Sequence, residues 1–383
     1  MPDDGTERKA AMTVVLAPDS FKGSIGAADA AEALAAGWRR VAPDAELVAR
    51  PMADGGEGTL DAFAAAITGS IRMPITVTGP HGRPVSASWL LLPPSADAPA
   101  GTGVVELAST SGIELLGVDL QPLDAHTGGF GEAIVAALDH GVSRLVLGIG
   151  SSSSTDGGTG LLTSLGARFA DDTGAPIPLG ARGLDAVAAA DLSRLRPLPP
   201  GGVIVLTDVT NPLIGASGSA AVFGPQKGLT PAEVAQADAG LSRLAAVLPA
   251  DPDSPGAGAA GGAGYGLLAW GARLVPGAAE VAELIDLRGA LAAASVVITG
   301  EGSFDGQSAA GKAPTHVAAL AAAEGVPVAL VAGRIAPDAA TSGFAASVSL
   351  SDLAGGGAAA MADPTRWLRD AGAELARASA PRP

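Results

Sequence analysis

Thr13-Val14-Val15-Leu16-Ala17-Pro18-Asp19-Ser20-Phe21-Lys22-Gly23-Ser24 begins as an apolar run of mostly β-branched residues and breaks into a polar, glycine-containing turn. Such a run fits a buried strand. Residues 28–41 then carry Ala31, Leu34, Ala35 and Trp38 at helical spacing. The order is strand, polar loop, helix. It repeats at residues 46–50, a second expected strand, followed by Ala53-Asp54-Gly55-Gly56-Glu57-Gly58-Thr59 and a helix through Leu60, Phe63 and Ile67. Both loops fall where a parallel α/β sheet presents its ligand-binding edge.

Further along, the pattern changes. Residues 74–78 and an extended run ending at 89–92 flank Gly79-Pro80-His81-Gly82, which predicts a hairpin. Strands are expected at 104–108, 144–149, 203–207, 295–299, 326–331 and 344–350, and helices at 133–138, 231–248, 314–323 and 363–378. Residues 251–266 are rich in Gly and Ala, read by composition alone as a linker, and open into a short helix through Trp270. Two α/β stretches at the chain ends, separated by hairpin-containing material, predict an α/β protein with one doubly wound domain. That domain takes residues 1–70 and 286–383, and a second, mixed α/β domain of residues 71–285 is inserted.

At about 150 residues per domain, the chain of 383 is long enough for two to three domains. Its 39 acidic residues against 23 Lys and Arg give a formal charge of −16, which argues against a passive electrostatic grip on nucleic acid or an anionic membrane. Cysteine is absent, which excludes disulfides, a thiolate nucleophile and Cys-ligated zinc, and fits a reducing cytoplasm. Residues 1–10 carry no apolar core and read as a loose leader rather than a signal peptide. The most apolar long stretch, 317–332, is broken by Glu324, Gly325 and Pro327, so it does not predict a membrane helix.

One device recurs: a polar loop after a short buried strand, with a carboxylate at or near its start, at Asp19, Asp54, Asp156, Asp208 and Glu301. Each aspartate alone could equally cap a helix or fix a turn. Together on an α/β frame, such loops offer backbone N–H groups to phosphate and carboxylates to Mg²⁺ or a hydroxyl proton, a pattern of phosphoryl transfer. The richest donor loop is Gly148-Ile149-Gly150-Ser151-Ser152-Ser153-Ser154-Thr155-Asp156-Gly157-Gly158. It contains neither GxxxxGK[ST] nor a completed GxGxxG, which disfavours a Walker site and a nicotinamide enzyme. Lysine is scarce, with only Lys9, Lys22, Lys227 and Lys312 against 19 arginines, and the last three sit in polar, Gly-rich loops. His81, His126, His140 and His316 show no metal-ligand or triad spacing and read as structural or exposed.

Ala17-Pro18-Asp19-Ser20-Phe21-Lys22-Gly23-Ser24 and Met52-Ala53-Asp54-Gly55-Gly56-Glu57-Gly58-Thr59 resemble the opening motifs of the bacterial type I glycerate kinases. The resemblance continues through 148–158, Thr207-Asp208-Val209-Thr210-Asn211-Pro212-Leu213, Phe223-Gly224-Pro225-Gln226-Lys227-Gly228, 256–264 and Thr299-Gly300-Glu301-Gly302-Ser303-Phe304-Asp305-Gly306-Gln307, covering about residues 13–375 in family order. It implies a flavodoxin-like domain built from both chain ends, a second α/β domain, and an active site between them. The implied reaction is ATP- and Mg²⁺-dependent phosphorylation of D-glycerate at C2. Alternatives are a 3-phosphate product, a related hydroxy-acid substrate, or a non-catalytic small-acid binder. Whether the protein is a monomer or a homodimer is left open.

Placed in a strand-end loop, Asp208 is the expected group to orient or deprotonate the acceptor hydroxyl, with Asp54 and Glu301, similarly placed, as alternatives for that role or for the metal, and Lys22 completing the catalytic set. Gly150, Ser151, Ser152, Ser153, Asp156, Gly157, Gly158 and Lys312 are expected at the nucleotide phosphates. Asp19, Ser20, Arg50, Lys227 and Asn211 are expected at glycerate, and Glu301 and Asp305 at the metal. Three positions depart from the family pattern: Thr127-Gly128-Gly129-Phe130-Gly131-Glu132 lacks a larger polar residue, Thr155 replaces asparagine, and Ser303 replaces an arginine suited to clamp a carboxylate.

Overall fold

The computed structural model describes residues 12–305 and 313–379. β1 (Thr13–Pro18) is almost wholly buried, as its unbroken Val14-Val15-Leu16 run requires. α1 (Ala27–Arg39) buries Ala30, Ala31, Leu34 and Trp38, and β2 (Glu46–Ala49) runs parallel to β1 with Val15 paired to Val48. α2 (Thr59–Ala66) leads to the antiparallel hairpin of β3 (Ile71–Thr78) and β4 (Pro84–Leu92). Next come β5 (Thr102–Glu106), the helix Gly128–His140, β6 (Arg144–Gly148), and a two-stranded ribbon of β7 (Arg168–Ala170) and β8 (Ala189–Asp191). β9 (Val203–Leu206) and β10 (Arg273–Val275) bracket the helices Pro231–Val247 and Ala263–Trp270. β11 (Val296–Phe304), β12 (Val328–Ile335), β13 (Ala346–Ser349) and the helix Pro364–Ser379 complete the described chain.

Two units emerge. The first comprises Met1–Ala53, Asp61–Ala66 and Ala278–Pro383, and the second Asp54–Leu60 and Ile67–Gly277. Segment 54–60 belongs with the second unit, where the Gly55 carbonyl accepts a hydrogen bond from Gly150 N at 2.9 Å.

The first unit's sheet has the order β13-β12-β11-β1-β2, every pair parallel. Renumbered by chain position within the unit, this is 2-1-3-4-5, the flavodoxin-like order. Strand direction of travel reverses between β1 and β11, so the carboxyl ends of those two strands form the crevice where open α/β sheets take ligands. Its core gathers Val14, Leu16, Leu34, Trp38, Ile298, Val331, Leu368 and Leu375.

α1 and the helix Pro364–Ser379 cross closely because each presents a glycine: Gly37 faces the Arg369 carbonyl, and Gly372 faces the Leu34 carbonyl. A Cβ at either place would overlap backbone. We therefore expect Gly37→Ala to cost about 1–3 kcal/mol, read as a melting temperature lowered by roughly 3–10 °C. An unchanged melting temperature would disprove the close crossing.

The second unit's sheet has the order β10-β9-β6-β5-β4-β3, four parallel strands edged by the antiparallel hairpin. Its core includes Trp89, Phe130, Ile134, Leu145, Leu161, Leu241 and Tyr265. The helix Pro231–Val247 starts where the sequence dictates: Thr230 Oγ1 accepts from Glu233 N, the Glu233 carboxylate accepts from Thr230 N, and Pro231 has no N–H left needing an acceptor.

The sequence reading is corrected in three places. The strand expected at 104–108 ends at Glu106, since Ala108 already begins a short helix. The strand expected at 295–299 continues to Phe304, because Gly300, Glu301 and Ser303 stay paired with Val331, Ala332 and Arg334 of β12. Glycine there marks a close backbone neighbour rather than a loop. Residues 256–264 are not a linker but almost wholly buried, with Gly258 N donating to the Asn211 carbonyl and the Gly261 carbonyl accepting from Gly157 N, each at 2.9 Å. Among the described residues no helix is long and apolar enough to cross a membrane.

Candidate active site

At the reversal point of the first unit's sheet, the loop after β1 meets β11. Asp19 N donates to the Gly300 carbonyl at 2.8 Å, and Ser20 N donates to Asp19 Oδ1 at 2.7 Å, closing a tight polar turn. The Phe21-Lys22 backbone then lies against Gly302. This brings Asp19, Ser20, Lys22 and Glu301 to one sheet edge, with the Lys22 side chain exposed and Glu301 nearly buried. Asp305 follows β11 directly. Arg50, also expected at substrate, directs its guanidinium to the carbonyls of Ala49 and Ala66 at 2.9 and 3.4 Å, where it ties the end of α2 to β2. Lys312 lies outside the described residues.

In the second unit, three of the expected strand-end loops converge. The 54–56 turn is closed by Gly56 N donating to Asp54 Oδ1 at 3.0 Å, and it is fixed to the loop after β6 through Gly150 N and the Gly55 carbonyl. After β9, the Asp208 carboxylate accepts from Gly277 N at 2.8 Å. Gly277 also packs against the Asp54 backbone so tightly that a Cβ would overlap the Asp54 carbonyl. Asp54 and Asp208 thus flank one glycine just past β10. Asn211, further along the same loop, donates from Nδ2 to the Ser217 carbonyl at 2.8 Å.

The serine-rich loop has a less obvious architecture. Ser152, Ser153, Ser154, Thr155 and Asp156 are all buried, while Ser151 is exposed with a positive φ of 57°. Ser153 Oγ donates to the Ser111 carbonyl at 2.7 Å and Ser154 Oγ to Asp156 Oδ1 at 3.3 Å. The hydroxyls that the sequence offers to phosphate are therefore largely turned inward, and Gly150 and Ser151 form the outward turn. Asp156 is the hub. Its Oδ2 accepts from Thr127 N, Thr127 Oγ1 and Gly160 N at 2.9, 2.8 and 3.2 Å, and its Oδ1 accepts from Gly158 N at 3.1 Å. Gly157 and Gly158 are buried beneath it, packed on Leu244 and the 263–266 backbone.

Lys227 is 2% exposed, and its Nζ donates to Ser152 Oγ at 2.8 Å and to the Ser154 carbonyl at 2.6 Å. Burial drives its pKa down from 10.5 to about 7, opposed by the Asp156 charge. His126, buried beside Asp156, is also lowered, chiefly by burial. In both, folding weakens proton binding relative to the unfolded chain without abolishing it. The unfolded chain then binds more protons, Lys227 over the interval from about 7 to 10.5, so stability rises with pH there and falls as pH drops toward 7. Denaturant titrations at several pH values should show this slope, and Lys227→Met should flatten it; an equal slope in both would refute the assignment.

Sequence reasoning missed several members of this site. Glu106, at the carboxyl end of β5, accepts from Leu60 N at 3.2 Å and anchors the start of α2. Reading 104–108 as one strand hid a carboxylate standing at a strand end like the others. Ser111 accepts from both the N and the Oγ of Ser153 through its carbonyl and from Phe130 N through its Oγ, and Thr127 bridges Asp156 to Leu161 N. Neither has a local signal in the sequence, because their partners lie 19 to 42 residues away.

The family model for the glycerate kinase family matches residues 14–380. The chain belongs to the glycerate kinase family. Among its relatives, a glycerate 2-kinase of Escherichia coli (strain K12) is 41% identical over 335 residues, covering 85% of this chain and 86% of that protein. A glycerate kinase of Bacillus subtilis (strain 168) is 42% identical over 338 residues, covering 85% and 86%. A crystal structure from Salmonella typhimurium LT2, named for a glycerate kinase 2, superposes with a TM-score of 0.82 at 38% identity, covering 96% of this chain and 98% of that one. The two sheets and the loops at their carboxyl ends are thus the glycerate kinase fold of this chain.

Proposed function

We propose that this protein transfers the γ-phosphoryl group of ATP to the C2 hydroxyl of D-glycerate, giving 2-phospho-D-glycerate and ADP. The observation that carries the reading is an exposed carboxylate, Asp208, fixed by a backbone N–H at the carboxyl edge of a parallel sheet in a chain of this family. Phosphoryl transfer needs little covalent chemistry from the protein beyond positioning and charge neutralisation. Asp208 accepts the proton of the attacking hydroxyl; Asp54, on the other side of Gly277, orients it. The exposed turn at Ser151 faces phosphate oxygens, and Lys22 neutralises developing phosphate charge. Asp19, Ser20 and Asn211 supply polar contacts to glycerate.

Hard carboxylate oxygens at Glu301 and Asp305 suit Mg²⁺, which commonly takes one or two carboxylates and completes its shell with phosphate and water. The extended backbone of β11 keeps their Cα atoms about 13 Å apart, so either residue serves the ion alone. Bound Mg²⁺ supplies charge neutralisation at the phosphates. We place the reaction in the cytoplasm, where ATP is at hand.

The test is a ³¹P NMR time course with ATP, Mg²⁺ and D-glycerate, compared with authentic 2- and 3-phosphoglycerate. A 2-phosphoglycerate resonance is expected. The 3-phosphate would overturn the placement of the hydroxyl, and folded protein without turnover would overturn the substrate.

A further inference from the structure

Lys227 stands where a cation contacting glycerate is expected, yet its ammonium is spent inside the protein. Two of its three donors go to Ser152 Oγ and the Ser154 carbonyl, two groups of one loop that bracket Ser153. Ser153 is held from the opposite side, its N and Oγ both donating to the Ser111 carbonyl. Asp156, on the same loop, supplies the compensating charge. The loop is therefore clamped between an ammonium and a distant carbonyl, and it leads back to Gly150, whose N–H secures the Asp54 turn through Gly55.

We propose that Lys227 is a positioning residue that sets the 150–158 loop from within, and through Gly150 the Asp54 turn, rather than a contact to substrate. The residue type supports this. In a chain with 19 arginines and four lysines, a buried lysine marks a place where a compact ammonium fits and a planar guanidinium does not. The turn that carries it, Pro225–Lys227, ends at Gly228 and delivers the side chain from 73 residues beyond Ser154. A loop fixed by an internal cation holds its one exposed turn, at Ser151, in place before ligand arrives, as phosphate recognition by such a turn demands.

The kinetic arm of the test rests on the proposed reaction; the structural arms do not. In Lys227→Met, amide hydrogen exchange in peptides spanning 150–158 should accelerate by about tenfold or more in the ligand-free protein. KM for ATP should rise by about tenfold, with KM for glycerate within about twofold of wild type. Unchanged exchange, or a rise in KM for glycerate alone, would overturn the proposal.

Should Lys227→Met not fold, amine acylation of the native wild-type chain decides instead. Lys227 should resist the reagent with and without glycerate while Lys22 reacts, whereas a reactive Lys227 that glycerate protects would make it a substrate contact. If wild type shows no glycerate turnover, the functional reading fails while the exchange and acylation arms still report on the clamp.

Discussion

Asp156→Ala is expected to lose about 3–5 kcal/mol of unfolding free energy, more than any other single change considered. The substitution removes one carboxylate but strands many donors: the N–H groups of Thr127, Gly158 and Gly160 and the hydroxyls of Thr127 and Ser154 all point at it. Each sits in a buried setting where an unmade hydrogen bond costs about 1–3 kcal/mol, and their sum is reduced by relaxation. Lys227 also loses the charge that compensates it. Asp156→Asn should restore little, because its amide turns two further donors toward a site filled with donors. Denaturant unfolding would measure the loss; stability within about 1 kcal/mol of wild type would mean that the hub is filled by water or is not a hub. Activity should fall with it, since the serine-rich turn and the start of the helix Thr159–Ser164 hang on the same carboxylate.

Asp208→Asn should reduce kcat by about 10²–10⁴-fold while leaving the melting temperature within about a degree of wild type. The asymmetry follows from geometry. Asn retains an oxygen to accept from Gly277 N, so the turn after β9 keeps its anchor. What disappears is the ability to take a proton. A side chain that merely holds Gly277 would tolerate the change; a general base would not. Steady-state kinetics at saturating ATP and glycerate distinguish the two, and a kcat within about threefold of wild type would return the role to Asp54. Asp54→Asn is the matched control, because its Oδ1 likewise serves a backbone N–H, that of Gly56.

Much of this organisation is legible in the residues. Apolar runs such as Val14-Val15-Leu16 and Val203-Ile204-Val205-Leu206 announce buried parallel strands, and the Gly79-Pro80-His81-Gly82 turn announces the hairpin. Strand-end carboxylates at Asp19, Asp54 and Asp208 could be found by looking after each run. The strand order could not, because β1 pairs with β11 across 282 residues and no local pattern encodes such a partner. Glu301 looked like a loop residue because glycines flank it, although both glycines serve a strand. The serine-rich loop was recognisable as a special turn, but which way its hydroxyls face is decided by Ser111 and Lys227, each more than 40 residues from its partner. The ribbon of β7 and β8 gave no signal because three-residue strands are too short for any periodicity to show.

The first unit's sheet has a temporal consequence. One interior strand, β1, is synthesised before the second unit, and its neighbour β11 follows only after that unit. At about 5–20 residues per second, β1 waits roughly 15–60 s on the ribosome for the strand that covers its open side. During that interval the second unit has all six strands of its main sheet available and the first has two of five. The unfinished sheet then presents Val14 and Leu16, fully shielded in the finished protein, along an unpaired edge. A chain cut short before Val296 would carry one foldable half and one adhesive stub, so this protein's exposure to chaperones should be set by how long its message takes to finish.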